Sequence, residues 1–314
     1  MKVFVAGATG AVGKPLVTEL VERGHEVTGM TRTAAKQDLL RELGAQPVLA
    51  DALVGEAVAR AVAAAEPDVI VHELTAIEAF NPRTMERGFA PTNRLRTEGT
   101  DHLLAAGRAV GIKRFVAQSF APLAYQRTGG MIKSEDDALD SAPPKQVRTS
   151  NAAIRYLEAA VAAVDCTEGI ILRYGGFYGP GTSISLAPLG DQVRMIKERK
   201  MPLAGKGSGV WSFVHVADAA SATAAAVEHG TRGAYNIVDD EPAPISEWLP
   251  YLANALGAKA PVHVPLWVAR IAGGEAAAVM MSELRGSSNA KAKRELGWQL
   301  RYPSWREGFV HGLV

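Results

Sequence analysis

The chain has 314 residues, with 34 basic residues against 33 acidic ones, a formal net charge of +1 and 47 % hydrophobic residues. That balance gives no electrostatic case for nucleic acid or an anionic membrane as partner. The single cysteine, Cys166, excludes an intrachain disulfide and cysteine-rich zinc sites, which suits a reducing cytoplasm.

The length allows two domains, or one large α/β domain with an appended lobe. The apolar run in MKVFVAGATG is too short for the core of a signal peptide. The longest apolar tract, PLWVARIAGGEAAAVMM, is broken by Arg270, a glycine pair and Glu275, so no transmembrane helix is expected.

In chain order, β-branched runs predict strands over 2–7, 26–31, 46–51, 68–74, 114–119 and 169–174. Helical patterns lie between them, several closed by a glycine (Gly24, Gly44, Gly111) that supplies a left-handed cap. The strands are apolar without alternation, as strands covered on both faces should be. Strand and helix alternating in this way predict an α/β fold with a doubly wound parallel sheet.

The first strand runs into GATGAVG, with Gly7, Gly10 and Gly13 spaced G-x-x-G-x-x-G before an amphipathic helix. Such a turn lets backbone N–H groups and a helix N-terminus approach a pyrophosphate, and it places Thr9, Ala11 and Val12 beside one. An acidic residue at the end of the second strand would bind a ribose 2′-OH; here Thr31 and Arg32 stand there, with Lys36 a turn further on. A guanidinium suits a 2′-phosphate, so NADP(H) is expected over NAD(H). Asp51, ending the third strand, either accepts from the adenine amine or serves as a turn or cap residue. Leu74 and Thr75 lie at the carboxyl end of the fourth strand, where ligands of open α/β sheets bind, and His72 inside that strand reads as a core histidine.

Residues 120–147 form a long connection carrying Tyr125 and the acidic triplet Glu135, Asp136 and Asp137; three adjacent carboxylates without a histidine read as solvated, and no metal is expected. The segment RTSNAAIRYLEAAV (148–161) predicts a helix with Ile154, Leu157 and Val161 on its apolar stripe. From about Gly175 the pattern becomes irregular and rich in Gly and Pro, which suggests a smaller α+β lobe. Arg194, Lys197 and Arg199 read as a solvated helix face.

Taken together, GATGAVG, Asn93 with TEGTDHLLAAGRAVGIKRFV, Ser119, ILRYGGFYGPGT, WSFVHVADAA and NAKAKRELGW resemble the extended short-chain dehydrogenase/reductase superfamily, epimerase/dehydratase type. The resemblance covers nearly the whole chain. It implies a Rossmann domain over 1–174, with 213–238 returning to it, a substrate lobe over 175–314, and a homodimer. It places Asn93, Ser119 and Tyr174 with the cofactor residues. Such proteins transfer hydride with a Tyr and a Lys four residues later on one helix, the Lys lowering the Tyr pKa.

No Tyr-x-x-x-Lys occurs in this sequence. Matching Glu158 to the glutamate that often follows the motif puts Ser150 and Ile154 at the Tyr and Lys positions; a shift by one puts Asn151 and Arg155 there. Arg155 would reach the ribose but is too basic for proton exchange. Ser119 matches the active-site Ser/Thr or is simply a satisfied strand-end serine. Tyr125 either swings over the nicotinamide as a donor or packs as an ordinary loop aromatic. Tyr174 and Tyr178, at the carboxyl end of the sixth strand, either shape the substrate pocket or pack the lobe. His215 and Asp218 are expected to orient a loop and cap a helix. The expected function is an NADP(H)-dependent reductase or epimerase acting on a small hydroxyl- or carbonyl-bearing substrate, its proton coming from Ser119, Tyr125, water or the substrate. The alternatives are an NADP-binding sensor without redox chemistry and a non-redox isomerase or lyase.

Overall fold

A computed structural model describes residues 1–77, 85–122, 124–165 and 167–314; Cys166 lies outside the described residues. Seven parallel strands form the central sheet: β1 (Lys2–Ala6), β2 (Glu26–Thr31), β3 (Gln46–Leu49), β4 (Val69–His72), β5 (Arg114–Phe120), β6 (Glu168–Tyr174) and β7 (Gly233–Ile237). Their spatial order is 3-2-1-4-5-6-7. The order reverses between β1 and β4, which pair in parallel from Val3 with Val69 to Ala6 with His72. A crevice opens at the carboxyl ends of two strands at such a reversal.

The helices follow as α1 (Gly13–Glu22), α2 (Gln37–Glu42), α3 (Gly55–Ala65), α4 (Met85–Arg94), α5 (Thr100–Val110), α6 (Arg148–Ala162), α7 (Asp191–Lys197), α8 (Val216–His229), α9 (Ile245–Ala255), α10 (Leu266–Ser282), α11 (Ala290–Leu296) and α12 (Trp305–His311). Each sheet face has its own apolar layer. Val3, Val5, Leu16, Val71, Val116 and Leu172 pack under α1 and α8; Phe4, Ile70, Leu103, Phe115, Leu157 and Ile171 pack under α3, α5 and α6. Covering both faces is what makes the strands read as continuous apolar runs.

The predicted third and fourth strands end earlier than expected, at Leu49 and His72. Asp51 Oδ1 accepts from the Leu53 N–H at 2.9 Å, so a side-chain turn takes over from the ladder there. The lobe has a third core in which Tyr178, Phe213, Trp248, Trp305 and Phe309 are buried together. Its chain re-enters the sheet through β7, whose Gly233 to Ile237 pair with Ile170 to Tyr174 of β6. No helix among the described residues is long and apolar enough to cross a membrane.

Between α4 and α5 the helix widens into a π turn over Leu95–Gly99, with Leu95, Arg96 and Gly99 buried. Such turns are uncommon and frequent at functional sites. This one lies under the carboxyl end of β4, where the His72 ring meets the Leu95 carbonyl at 3.2 Å. His72 is a core residue, as its sequence context suggests, and burial pulls its pKa down to about 4.

Candidate active site

Two clefts open at the carboxyl edge of the sheet. The first, of about 190 Å³, is lined by Gly7, Thr9, Gly10, Thr31, Arg32, Thr33, Lys36, Asp51, Glu73, Leu74, Thr75 and Leu95. Gly7 sits at φ +97°, and a Cβ there would lie 2.5 Å from the Glu73 carbonyl oxygen. At Gly13 a Cβ would lie 2.1 Å from the Gly7 carbonyl oxygen, so α1 starts flush against the turn. Both glycines are therefore required by backbone packing, and the α1 N-terminus is held where a pyrophosphate is stabilised. Arg32 and Lys36 are exposed at the mouth of this cleft, with no carboxylate closing β2. The residue set fits a dinucleotide: bare backbone for the phosphates, cations for the adenosine end.

Glu73 has no counterpart in the sequence-based expectations. It is 5 % exposed and accepts from the Tyr174 hydroxyl at 2.8 Å, while its other oxygen has no hydrogen-bond partner among the described residues. Burial drives its carboxyl up to about 8, only partly opposed by the Tyr174 hydrogen bond. A neutral acid therefore lines a cleft built for an anion.

The second cleft, of about 460 Å³, runs between the sheet edge and the lobe. Its walls are mostly apolar, with Phe89, Phe120, Ile154, Phe177, Trp211 and Met280 among them. Ala11 of the glycine turn lines this cleft, next in sequence to Gly10, which lines the first. Ser150 and Ile154 line it from the first turns of α6. Of the two registers the sequence leaves open, the Ser150 and Ile154 pair is the one that lines this cleft. Arg155 is exposed on another side, with its guanidinium 3.4 Å from the Asp140 carbonyl oxygen, and does not line the cleft. Its one-residue offset from Ile154 rotates it about 100° away.

Several expected site residues are placed elsewhere. Ser119 is 2 % exposed and donates its hydroxyl to Glu158 at 2.6 Å. Glu158 in turn holds Arg173 through two contacts of 2.9 and 2.7 Å. Arg173 donates to the Tyr125 hydroxyl at 3.0 Å, and Tyr125 donates to Asn236 Oδ1 at 2.6 Å. This buried chain of polar groups fixes Tyr125 away from the cleft; burial raises its pKa, against the lowering effect of Arg173 and the Asn236 hydrogen bond. Neither Ser119 nor Tyr125 lines the large cleft.

Tyr174 is fully buried beneath the sheet edge, tied to Glu73 and Thr223, and supports the cofactor cleft from below without lining it. Tyr178 is also fully buried, packed edge-on to His215 and Phe309 and over the bare backbone of Gly308, so it belongs to the lobe core. Asn93 is 7 % exposed and donates to Ser150 Oγ at 3.3 Å, which steadies the serine at the cleft. His215 Nδ1 caps α8 by accepting from the Ala217 N–H, and Asp218 accepts from the N–H groups of Arg301 and Tyr302.

Arg96 also lines the large cleft and was given no role on sequence grounds. Two members of the acidic triplet have partners, Asp137 pairing locally with Lys133 at 3.0 Å and Glu135 accepting from the distant Asn236 N–H at 2.7 Å. Among the described residues no group of His, Cys, Asp and Glu could hold a metal ion. A shallow depression of about 710 Å³ between α1, α8 and Leu296–Arg301 lies away from the glycine turn.

Known proteins resemble this chain in sequence and fold. The profile of the NAD dependent epimerase/dehydratase family matches residues 3–238. The 3-diazoavenalumate denitrifying reductase of a Streptomyces species is 43 % identical over 98 % of this chain and 99 % of its own length. The 2-alkyl-3-oxoalkanoate reductase of Stenotrophomonas maltophilia is 28 % identical over 82 % of this chain and 76 % of its own. Among solved structures, the UDP-glucose 4-epimerase of Thermotoga maritima superposes with a TM-score of 0.76 at 21 % identity, over 100 % of this chain and 97 % of its own, which shows the shared fold. Family profile, full-length likeness and glycine-turn geometry agree: the chain belongs to the NAD dependent epimerase/dehydratase family and is a nicotinamide-dependent oxidoreductase or epimerase.

Proposed function

We propose that this chain is an NADPH-dependent reductase that delivers hydride to a small, apolar diazo compound in its diazonium form, with loss of dinitrogen. The observation that carries the reading is the cleft face of α6, where Ser150 and Ile154 stand in place of an acid and its supporting cation. Reduction of a carbonyl makes an alkoxide that must receive a proton, and the family's Tyr exists for that purpose. Reduction of a diazonium ion needs none. The hydride brings two electrons, a C–H bond forms at the carbon that bore nitrogen, the C–N bond breaks, and N₂ leaves as a neutral molecule. The full-length likeness to a denitrifying reductase of a diazo acid supports the same reading.

Bound NADPH would supply the hydride. Gly7, Thr9, Gly10 and the α1 N-terminus would hold its pyrophosphate, and Arg32 and Lys36 would meet its 2′-phosphate, which supports NADP(H) over NAD(H). The apolar walls of the large cleft would keep water from competing as nucleophile for the diazonium carbon. Residues 1–174 with 213–238 would carry the cofactor, and the rest of 175–314 the substrate. A reducing cytoplasm suits the single cysteine, and a homodimer is the assembly that the superfamily resemblance implies.

The test is a headspace measurement of dinitrogen during incubation with NADPH and an arenediazonium salt, using NADPH deuterated at the transferred position. Equal yields of N₂ and NADP⁺, with deuterium on the product carbon, are expected. Oxidation of NADPH by a β-oxo acid but by no diazonium salt would replace this reading with carbonyl reduction.

A further inference from the structure

Arg96 is 7 % exposed, yet its side chain makes no hydrogen bond, ion pair or ring contact with any described residue. Only its backbone carbonyl is used, accepting from the Thr100 hydroxyl at 2.8 Å. Burial alone pulls its pKa down, to about 10, so the side chain remains a cation at neutral pH. A buried charge without a partner is costly, and such charges are normally paired. Arg96 and Ser150 both line the large cleft, and the Ser150 hydroxyl accepts from Asn93 and donates to no described residue. The cleft's other walls include the apolar Ile77, Phe89, Val147 and Ile154 and the polar Thr182, Ser183, Asp191 and Gln192.

We propose that Arg96 is the anchor for a carboxylate on the substrate, its planar fork completed by the ligand and oriented with the help of Ser150. The inference rests on reading the large cleft as the substrate site of a reductase, and it names the substrate class as apolar diazo carboxylic acids. Leu95 lines the cofactor cleft and Arg96 the other one, so the charge belongs to the substrate side and not to the dinucleotide. A fork of N–H donors matches a carboxylate in two parallel bonds. The apolar surroundings favour a monoanion of that shape over a doubly charged, strongly hydrated phosphate.

The experiment is calorimetric binding of cinnamate, methyl cinnamate and phenyl phosphate to the full chain, with and without NADP⁺, for the wild type, Arg96→Met and Arg96→Lys, together with melting curves. In the wild type, cinnamate is expected to bind at least 30-fold more tightly than its ester. Arg96→Met is expected to bring acid and ester to equal affinity, Arg96→Lys to recover part of the difference, and Arg96→Met to melt higher than the wild type because it removes an unpaired buried charge. A wild type that binds acid and ester alike overturns the proposal, as does Arg96→Met retaining the preference. Tighter binding of phenyl phosphate than of cinnamate overturns the carboxylate assignment. If no diazonium salt is reduced while cinnamate binding still depends on Arg96, the anchor stands and the proposed reaction falls.

Discussion

Replacing Glu73 by Gln should stabilise this protein, and the gain should grow with pH. The folded-state pKa of about 8 lies above the ordinary value of 4.5, so the folded chain holds a proton that the unfolded chain has released between those limits. Stability falls with pH wherever the native state binds more protons. The contribution of Glu73 is therefore fully present below about pH 4.5 and lost progressively as pH rises to about 8. That interval, at about 1.4 kcal/mol per pH unit, amounts to about 5 kcal/mol as an upper bound. Gln keeps an oxygen for the Tyr174 hydroxyl and cannot ionise. Urea unfolding of both proteins at half-unit steps from pH 5 to pH 9 should show a difference that widens up to about pH 8 and then stays level. Parallel curves across that range would show that Glu73 ionises normally and that its burial carries no penalty. The same variant should hold its NADPH affinity above pH 8, where an ionised Glu73 in the wild type would oppose the incoming phosphates.

Two other perturbations test different layers. Arg32→Ala should weaken NADPH by about 10- to 100-fold with NADH nearly unchanged, since a charge-assisted pair is worth about 1.5–3 kcal/mol; equal loss for both cofactors by calorimetry would remove Arg32 from the 2′-phosphate. Glu158→Gln leaves Arg173 buried without its counter-ion and should cost about 3–5 kcal/mol in chemical denaturation; a loss below about 1 kcal/mol would mean that the Ser119–Glu158–Arg173 chain is not a structural pin.

Much of the fold could be read in the sequence because parallel strands leave unmistakable apolar runs, and the glycine turn could be read because few other residues can pack backbone on backbone as Gly13 does against Gly7. Side-chain direction was harder. Ser150 against Asn151 is a choice of one residue on a helix, and only packing of α6 against the sheet decides it. Tyr125, Tyr174 and Tyr178 sit close in sequence to the carboxyl ends of strands, but burial of their rings gains more than exposure at a cleft, so all three turn inward. Glu73 was hidden because it directly follows an apolar strand that promised only backbone. Arg96 did carry a signal: with Gly99, Leu103 and Ala106 it falls on one helical stripe, and a cation on a core stripe asks for a partner.

The π turn has one more consequence. Leu95 and Arg96 are consecutive residues, and they form part of the walls of two different clefts. A shift of that turn on filling one cleft would reach the other through a single peptide bond. If filling the nucleotide cleft raises affinity for the acid by some factor, the acid raises affinity for the nucleotide by the same factor. Measuring both orders of addition reads that factor twice, and agreement between the two closes a thermodynamic cycle around one turn of helix.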